Sequence, residues 1–280
     1  MGAKLCCGMK RMLLIIGITA ALGYAAVCVM LFLFQRRMLY LPSSMPLDEQ
    51  LAYAPGAGLK PWLDAAGARI GWKREAHGPG LSQRWLVLHG NAGLAVQRAY
   101  WADALERVSP GRALSVYVLE YPGYGRRAGA PSESAITGAA LAAIDALPAA
   151  GRSHLLGESL GCAVAARVAQ ARPERVGGLV LVSPFNRLAE VAAHHYPWIP
   201  VRWLLRDVWR SDENLRDFPG PVAVLAAERD QVVPARFAQR LYDGYPGRKW
   251  LHVIPDEDHN FFVFDQAWFG DAVAFAAARE

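Results

Sequence analysis

Beyond one long apolar stretch near its start, the chain alternates between two hydrophobic patterns. Residues 12–34 contain 23 positions without a charge. From residue 68 onward, short unbroken apolar runs alternate with segments in which apolar positions recur at helical spacing. Unbroken runs bounded by loops are typical of strands buried on both faces. Their alternation with helices predicts an α/β fold, a mainly parallel sheet with helices on both faces.

The individual elements follow from the same patterns. The sequence predicts an early strand pair, then a regular succession of helices and strands, and a final apolar segment with helical spacing. Strands are expected at 68–74, 84–88, 115–119, 154–156, 178–182, 221–227 and 249–254. Helices are expected at 97–108, 132–147, 162–169, 235–241 and 261–278.

A candidate nucleophile lies between one of these strands and the helix that follows it. The segment GESLG at 157–161 fits the pattern G-x-S-x-G. A strand that ends in this sharp turn holds its serine in a strained conformation, with the hydroxyl above the sheet edge. Glycines on either side let the strand and the helix pass closely. The alternative is a glycine-bounded turn with an inert serine, Ser159.

Two further residues complete a possible catalytic triad. Asp230 follows the predicted strand 221–227, and His259 follows the strand 249–254. The chain order serine, acid, histidine is the one that this type of site requires. His259 would be the base that takes the serine proton, and Asp230 would orient and stabilise its ring. Glu228 is an alternative acid, two residues before Asp230.

The loop after the strand 84–88 is a candidate oxyanion hole. Its sequence, HGNAG at 89–93, lets backbone amides turn inward. In sites of this type one amide comes from the residue after the nucleophile, here Leu160, and the other comes from this loop. The second donor would be the backbone N–H of Asn91 or Ala92. The loop does not fit the phosphate-binding pattern G-x-x-x-x-G-K-[ST].

These motifs together resemble a known family. The order HGNAG (89–93), EYPGYG (120–125), PSE (131–133), GESLG (157–161), Asp230 and His259 resembles the α/β-hydrolase fold superfamily. It is more narrowly similar to the N-terminally membrane-anchored, small-lidded serine hydrolases, which include depalmitoylase-type and serine aminopeptidase-like enzymes. The resemblance covers about residues 35–275. It implies Ser159 as nucleophile, Asp230 as acid, His259 as base, oxyanion donors at Leu160 and at Asn91 or Ala92, and no cofactor.

The charge pattern separates the start of the chain from the rest. The net charge of +5 is accounted for by five cations within the first 40 residues, which leaves 25 basic and 25 acidic residues in 41–280. No basic patch for nucleic acid is therefore indicated. About 20 apolar residues suffice to span a bilayer, so residues 12–34 predict an uncleaved signal anchor; a cleaved signal peptide is the alternative. Cys6 and Cys7, beside the span, are predicted to be unmodified thiols, with palmitoylation as the alternative.

The expected organisation is an anchor followed by one catalytic domain. Residues 1–34 would form the basic tail and transmembrane helix, and residues 35–280 the hydrolase domain, with a lid insertion at about 184–218. Three cations precede the span and two follow it, a slight bias that places the catalytic domain on the non-cytoplasmic side. Among the cysteines only Cys162 lies in the domain, and no metal-ligand spacing is present.

The lid region carries the candidate substrate pocket. Trp198 and Trp203 would line an apolar acyl pocket that faces the membrane, although each could instead pack the lid onto the core. The sequence therefore predicts a membrane-anchored serine hydrolase of acyl esters or thioesters with an apolar acyl part. A peptidase or amidase of the same fold, or a catalytically silent scaffold, is the alternative.

Overall fold

A single eight-stranded sheet organises the computed structural model, which describes residues 2–76, 83–260 and 266–278. The strand order is β1-β2-β4-β3-β5-β6-β7-β8, and every pair from β4 to β8 is parallel. The strands are β1 (Lys60–Leu63), β2 (Arg69–Arg74), β3 (Gln83–Leu88), β4 (Leu114–Leu119), β5 (Ser153–Glu158), β6 (Val176–Val182), β7 (Val222–Ala227) and β8 (Lys249–Ile254).

Ten helices accompany the strands within the described residues. They are α1 (Gly2–Leu39), α2 (Leu47–Gly56), α3 (Ala99–Arg107, after a 3₁₀ turn at Ala95–Arg98), α4 (Glu133–Ala146), α5 (Leu160–Ala171), α6 (Leu188–His195), α7 (Val201–Leu204), α8 (Ser211–Leu215), α9 (Ala235–Gly244) and α10 (Ala267–Ala277). The predicted last helix began at residue 261, but residues 261–265 lie outside the described part of the chain.

Two apolar clusters, one on each face of the sheet, form the core. The first joins α4, α5 and α9 to alternate strand residues such as Leu86 and Leu155. The second joins α3 and α10 to the opposite residues, including Val87 and Leu156. Neighbouring strand residues point to opposite faces, so an unbroken apolar run is what a sheet covered on both sides requires. The mainly parallel sheet expected from the sequence is therefore confirmed.

The expected early strand pair is wrong in its pairing. The strands at 68–74 and 84–88 exist as β2 and β3, but β4 lies between them. β2 pairs antiparallel with β4 and, on its other side, with β1. The reason is that β3 and β4 are joined through α3, and this helical crossover makes them parallel neighbours. β1 and α2 lie in a proline-containing stretch that the sequence did not indicate as structured.

The apolar stretch near the start of the chain lies within α1. From Gly8 to Leu39 this helix is long and apolar enough to cross a membrane, and its most apolar stretch of 18 residues has a mean hydropathy of 2.3. Its end is not isolated from the sheet, because Gln35 and Arg36 contact the segment between β6 and β7. Tyr40, the first residue after it, is only 1% exposed and accepts a hydrogen bond from Trp209 Nε1 at 3.1 Å.

Candidate active site

Ser159 occupies the sharp turn between β5 and α5. Its backbone has φ +51° and ψ −112°, in the region that residues with a Cβ adopt at a cost. The Ser159 N–H donates to the Val182 carbonyl at 2.8 Å, which ties the turn to the neighbouring strand. The flanking glycines are required, because a Cβ on Gly161 would lie 1.8 Å from the Leu88 oxygen and one on Gly157 would lie 2.6 Å from the Cα of Cys162.

The three residues of the predicted triad meet at the carboxyl edge of the sheet. His259 Nε2 lies 3.1 Å from Ser159 Oγ, and His259 Nδ1 lies 2.6 Å from Asp230 Oδ2. The other carboxylate oxygen, Oδ1, accepts hydrogen bonds from the N–H groups of Val232 and Val233 at 2.8 and 2.6 Å. The carboxylate accepts from Nδ1–H, so Nε2 is the nitrogen that can accept the serine proton.

The same geometry distinguishes Asp230 from its alternative, Glu228. The Glu228 carboxylate accepts a hydrogen bond from the backbone N–H of Asp256 at 3.0 Å and so closes the loop at the end of β8. Within the described residues, Glu228 makes no hydrogen bond to His259. Asp230 is therefore the acid that the fold brings to the histidine.

The candidate oxyanion donors lie beside Ser159. Leu160 is the first residue of α5, so its N–H has no carbonyl one helical turn earlier to donate to. The loop after β3 presents Asn91 and Ala92, and Ala92 has a positive φ of 58°. Within the described part of the chain, the N–H groups of Asn91 and Ala92 donate to no backbone or side-chain acceptor. Asn91 and Leu160 both line the cavity that opens above Ser159.

Sequence reasoning missed one polar cluster beneath this loop, centred on Glu158. Its carboxylate receives two hydrogen bonds from Arg98, at 2.9 and 3.1 Å, and further ones from the Tyr100 hydroxyl at 3.1 Å and Trp101 Nε1 at 3.2 Å. Burial would raise the pKa of Glu158, but the Arg98 charge and these donors lower it on balance. The acid one residue before Ser159 was visible in the sequence, but its partners were not.

The Glu158 cluster also supports the oxyanion loop from below. A Cβ on Gly90 would lie 3.2 Å from Glu158 Oε1, and one on Gly93 would lie 2.9 Å from an Arg98 nitrogen. The loop therefore rests directly on the ion pair. Its glycines are explained by this close approach.

An apolar cavity of about 350 Å³ opens above Ser159. Three parts of the chain form its wall, and one of them is α1. The residues that line it include Leu31, Gln35, Met38 and Leu39 of α1; Leu188, Val191, Ala192, His195, Tyr196, Ile199, Val201, Leu204 and Leu205 of the β6–β7 segment; and Val232 and Val233 beyond β7. We call the segment between β6 and β7, which forms the largest part of this wall, the cap. Such a lining suits a hydrocarbon chain better than a polar group.

The structure corrects the expected role of Trp198 and Trp203. They are 82% and 89% exposed and are absent from the cavity wall. The reason is helical spacing: Val201 and Leu204 point into the cavity from α7, so Trp203 between them points outward. The apolar pocket exists, but aliphatic side chains and α1 form it. The Trp198 side chain is exposed, and only its backbone carbonyl contacts α1, where it accepts a hydrogen bond from the Tyr24 hydroxyl at 2.8 Å.

Comparison with known proteins identifies the family. A family model described as alpha/beta hydrolase fold matches residues 86–208. An uncharacterised protein of Mycobacterium tuberculosis is 38% identical over 254 residues, which cover 87% of this chain and 87% of that protein. The chain belongs to the α/β-hydrolase superfamily.

Two further relatives fit the anchored subfamily that the motifs resemble. The lysophosphatidylserine lipase ABHD12 of Xenopus tropicalis is 30% identical over 204 residues, covering 65% of this hydrolase chain and 51% of the lipase. The chain thus spans about half the length of that relative. Protein bem46 of Schizosaccharomyces pombe is 25% identical over 210 residues, covering 70% of this chain and 67% of that protein.

Solved structures agree with the hydrolase fold. Est1E from Butyrivibrio proteoclasticus, solved with ferulic acid, superposes with a TM-score of 0.60 at 17% identity, covering 75% of this chain and 95% of Est1E. A monoacylglycerol lipase from Paleococcus ferrophilus gives a TM-score of 0.54 at 18% identity, covering 73% and 97%. At such identities the likeness concerns the fold alone. Within the described residues, no group of three His, Cys, Asp or Glu side chains is placed to hold a metal ion.

Proposed function

We propose that this α/β-hydrolase is a serine hydrolase that cleaves acyl esters or thioesters through an acyl-enzyme on Ser159. The observation that carries the proposal is the hydrogen-bonded chain from Ser159 Oγ through His259 to Asp230, with distances of 3.1 and 2.6 Å. A serine hydroxyl is a poor nucleophile near neutral pH unless a base takes its proton during attack. His259 Nε2 stands within reach of that proton.

The first half of the reaction forms the acyl-enzyme. Ser159 Oγ attacks the acyl carbon while its proton passes to His259 Nε2, and the imidazolium is stabilised by the Asp230 carboxylate. The carbonyl oxygen becomes an oxyanion, which would accept hydrogen bonds from the N–H groups of Leu160 and of Asn91 or Ala92. When the tetrahedral intermediate collapses, the bond to the leaving alcohol or thiol breaks. The leaving group takes the proton from His259.

The second half of the reaction releases the acid. A water molecule gives its proton to His259 Nε2 and attacks the acyl carbon, and the oxyanion forms again at the same donors. Collapse of this intermediate returns the proton to Ser159 Oγ and frees the carboxylic acid. No step needs a cofactor.

The cavity favours an apolar acyl group. Its wall is formed mainly by aliphatic side chains, and each buried methylene contributes about 0.8 kcal/mol to binding. The ABHD12 relative is named as a lysophosphatidylserine lipase, which fits an ester with a lipid acyl chain. The choice of ester or thioester over amide rests on the family resemblance and on the open approach to Ser159.

We further propose that α1 is an uncleaved single-pass anchor, with residues 1–34 as tail and span and 35–280 as the hydrolase domain. The cap meets α1 along its second half, from Tyr24 beside Trp198 to Gln35 beside Leu204. If α1 lies in a bilayer, the cap and its exposed Trp203 lie at the same depth as the second half of α1. The cavity above Ser159 then faces the lipid. The weak excess of cations before the span favours a non-cytoplasmic catalytic domain; protease protection of the domain in sealed vesicles tests this side.

Covalent labelling with a fluorophosphonate probe tests the serine hydrolase proposal. The full chain in detergent micelles should label, and Ser159→Ala and His259→Ala should not. Ser183→Ala is a matched control, because Ser183 also follows a parallel strand with φ +51° but has no hydrogen-bond partner for its hydroxyl in the described residues. It should label like the wild type. An unlabelled but folded wild type would favour the silent scaffold over an enzyme.

Turnover of matched substrates then tests the bond that is cleaved. A p-nitrophenyl ester and a p-nitroanilide with the same medium-length acyl chain differ only in the leaving group. Ester hydrolysis that far exceeds anilide hydrolysis agrees with the proposal. Comparable turnover of the anilide would assign the chain to the peptidases and amidases of this fold.

A further inference from the structure

The last residue of α1 and the chain just after it make direct hydrogen bonds to the oxyanion loop. We call residues 39–43 the junction segment. Three of its groups reach the loop at 89–93: the Leu39 carbonyl, the Leu41 N–H and the Ser43 hydroxyl. These contacts join positions about 50 residues apart in sequence. The end of the apolar helix is therefore connected to the site through hydrogen bonds as well as through the cavity wall.

Both ends of the Asn91 side-chain amide are held by these contacts. Its Oδ1 accepts from the Leu41 N–H at 3.0 Å and from the Tyr124 hydroxyl at 2.7 Å, and its Nδ2 donates to the Leu39 carbonyl. Both ends of the amide are engaged, so the side chain has one orientation available. The fixed side chain in turn restrains the backbone at Asn91.

Ala92, the next residue of the loop, is held through its own carbonyl. The Ser43 hydroxyl donates to the Ala92 carbonyl at 2.6 Å, and the Ser43 carbonyl in turn accepts from the Gly125 N–H at 3.0 Å. Ala92 has φ +58°, a conformation that costs an alanine free energy and persists only where surrounding contacts impose it. The junction segment supplies such contacts on both sides of the peptide bond between Asn91 and Ala92.

The junction segment is itself fixed to the cap. Tyr40 is buried, and its hydroxyl accepts a hydrogen bond from Trp209 Nε1. One turn earlier, the Arg36 guanidinium makes two hydrogen bonds to the Asp207 carboxylate, at 2.8 and 2.9 Å. These contacts therefore fix the end of α1, the cap and the oxyanion loop relative to one another.

We propose that the junction segment is a positioning element of the active site, which acts through the side chain of Asn91 and the carbonyl of Ala92 to aim the loop amides at the oxyanion. This inference rests on the proposed serine hydrolase activity. Oxyanion stabilisation needs donors placed before the reaction at the position that the oxyanion will occupy. Without the junction contacts, the loop would relax from the strained conformation at Ala92. The anchor helix would then be part of the catalytic apparatus as well as a tether.

A pair of matched tyrosine variants of the full chain tests the inference. Tyr124→Phe removes the hydroxyl that donates to Asn91 Oδ1. Tyr245→Phe removes an equally buried hydroxyl that donates to the Phe218 carbonyl at 2.9 Å, near the start of β7 at the opposite edge of the sheet. Asn91→Ala and Ser43→Ala break the junction contacts themselves, and Ser43→Thr restores a hydroxyl.

Two readouts separate positioning from a general loss of structure. The first is the split between kcat and KM for a soluble ester. The second is inhibition by an alkyl boronic acid, whose tetrahedral adduct with the serine places an oxygen at the oxyanion position. Asn91→Ala should lower kcat roughly 10- to 100-fold, which is a part of the 10²- to 10³-fold loss typical of a deleted oxyanion donor. The inhibition constant of the boronic acid should rise by a similar factor. KM should change less than about twofold, since ground-state binding lies in the cavity.

The remaining variants decide whether the junction segment positions the oxyanion loop. Tyr124→Phe and Ser43→Ala should show smaller effects of the same kind, Ser43→Thr should recover most of the lost kcat, and Tyr245→Phe should match the wild type in both readouts. If Asn91→Ala keeps wild-type kcat and boronic acid affinity, the junction segment does not position the site. Equal losses of kcat in Tyr124→Phe and Tyr245→Phe would also overturn the inference. A wild type that forms no boronic acid adduct and hydrolyses no ester would instead refute the proposed function.

Discussion

The floor of the cavity and its opposite wall are held in place by different kinds of contact. On the floor, Ser159, Asp230 and His259 project from the loops that follow three parallel strands, and their hydrogen bonds are mutual. On the opposite side, the short helices of the cap and the end of α1 enclose the cavity. A few polar contacts hold the cap, chiefly the pair of Arg36 with Asp207 and the contacts of Gln35.

This difference separates reactivity from selectivity. The floor is fixed by a sheet whose strands are buried on both faces, and a rigid support of this kind can hold a strained serine. The cap has few hydrogen-bonded strand neighbours, and its apolar wall decides what fits. Variants of the floor should therefore change rates by orders of magnitude. Variants of the cap should change substrate preference or local opening by smaller factors.

The largest effect is expected at Asp230. Asp230→Asn can keep the acceptor that receives the N–H groups of Val232 and Val233, so the loop should remain folded. The new amide nitrogen would face His259 Nδ1 and favour the tautomer with the proton on Nε2, which cannot accept from Ser159. We expect kcat/KM for an ester to fall about 10⁴-fold.

Asp256→Asn is the matched control for that variant. Asp256 lies in the loop that carries His259, but it is exposed and pairs with Arg229. Ester hydrolysis should stay within about twofold of the wild type, since exposed pairs contribute little. A loss at Asp256 comparable to that at Asp230 would mean that the whole loop, and not the tautomer of His259, limits the rate.

The next largest effect is expected on the free energy of unfolding, through the Glu158 cluster beneath the oxyanion loop. Glu158→Gln removes the charge opposite Arg98 but keeps an acceptor oxygen. The two side chains are 21% and 16% exposed, so the loss of the charge should cost about 1.5–3 kcal/mol. Chemical unfolding at neutral pH should show a loss of this size. The exposed pair of Asp145 with Arg172 is the control, and Asp145→Asn should cost less than about 1 kcal/mol.

The pH dependence of that loss follows from the lowered pKa of Glu158. The unfolded chain binds this proton more readily than the folded one, so the stabilisation is present above the ordinary pKa of 4.5 and disappears as the pH falls through the lowered value. The stability difference between the wild type and Glu158→Gln should therefore shrink in acid. A difference that stays constant from neutral to acidic pH would contradict the ion-pair explanation.

The floor could be predicted from the sequence because its determinants are local. Apolar runs identify buried strands, the glycines of the elbow identify a tight turn, and the order of Ser159, Asp230 and His259 follows the strands that carry them. The pairing of β2 could not be predicted, since strand order depends on crossovers and not on the strand's own residues. The same holds for Glu158, whose donors come from the 3₁₀ turn before α3 and from the first turn of α3, about 60 positions away.

The cap could not be predicted because its contacts join distant segments of weak local pattern. The aromatic residues Trp198 and Trp203 suggested a pocket by composition, whereas the direction of a side chain on a four-residue helix depends on which face the rest of the fold covers. The charge-free run of α1 indicated an anchor. Nothing within it showed that its last turns would face Ser159.

The wall contributed by α1 should set the preference for acyl chain length. Leu31→Trp places a larger side chain in the cavity, and excluding two methylenes costs about 1.6 kcal/mol, or roughly 15-fold in kcat/KM. Long-chain p-nitrophenyl esters should lose this factor while acetate esters keep their rate. Trp203→Ala, outside the cavity, is the control and should leave the chain-length profile of soluble esters unchanged. An unchanged profile in Leu31→Trp would exclude α1 from the acyl site.

The smallest effect is expected where α1 holds the cap. Asp207→Asn keeps an acceptor for Arg36 but removes the charge, so the pair should weaken by about 1 kcal/mol and not break. Local opening of α6 and α7 should then become several-fold more frequent, while the strands β5 and β6 keep their protection. Hydrogen exchange measured by mass spectrometry on peptides from the two regions distinguishes them. Because the floor owes its rigidity to the sheet, equal acceleration in both regions would show that the cap and the floor open as one unit, and the separation of reactivity from selectivity would not hold.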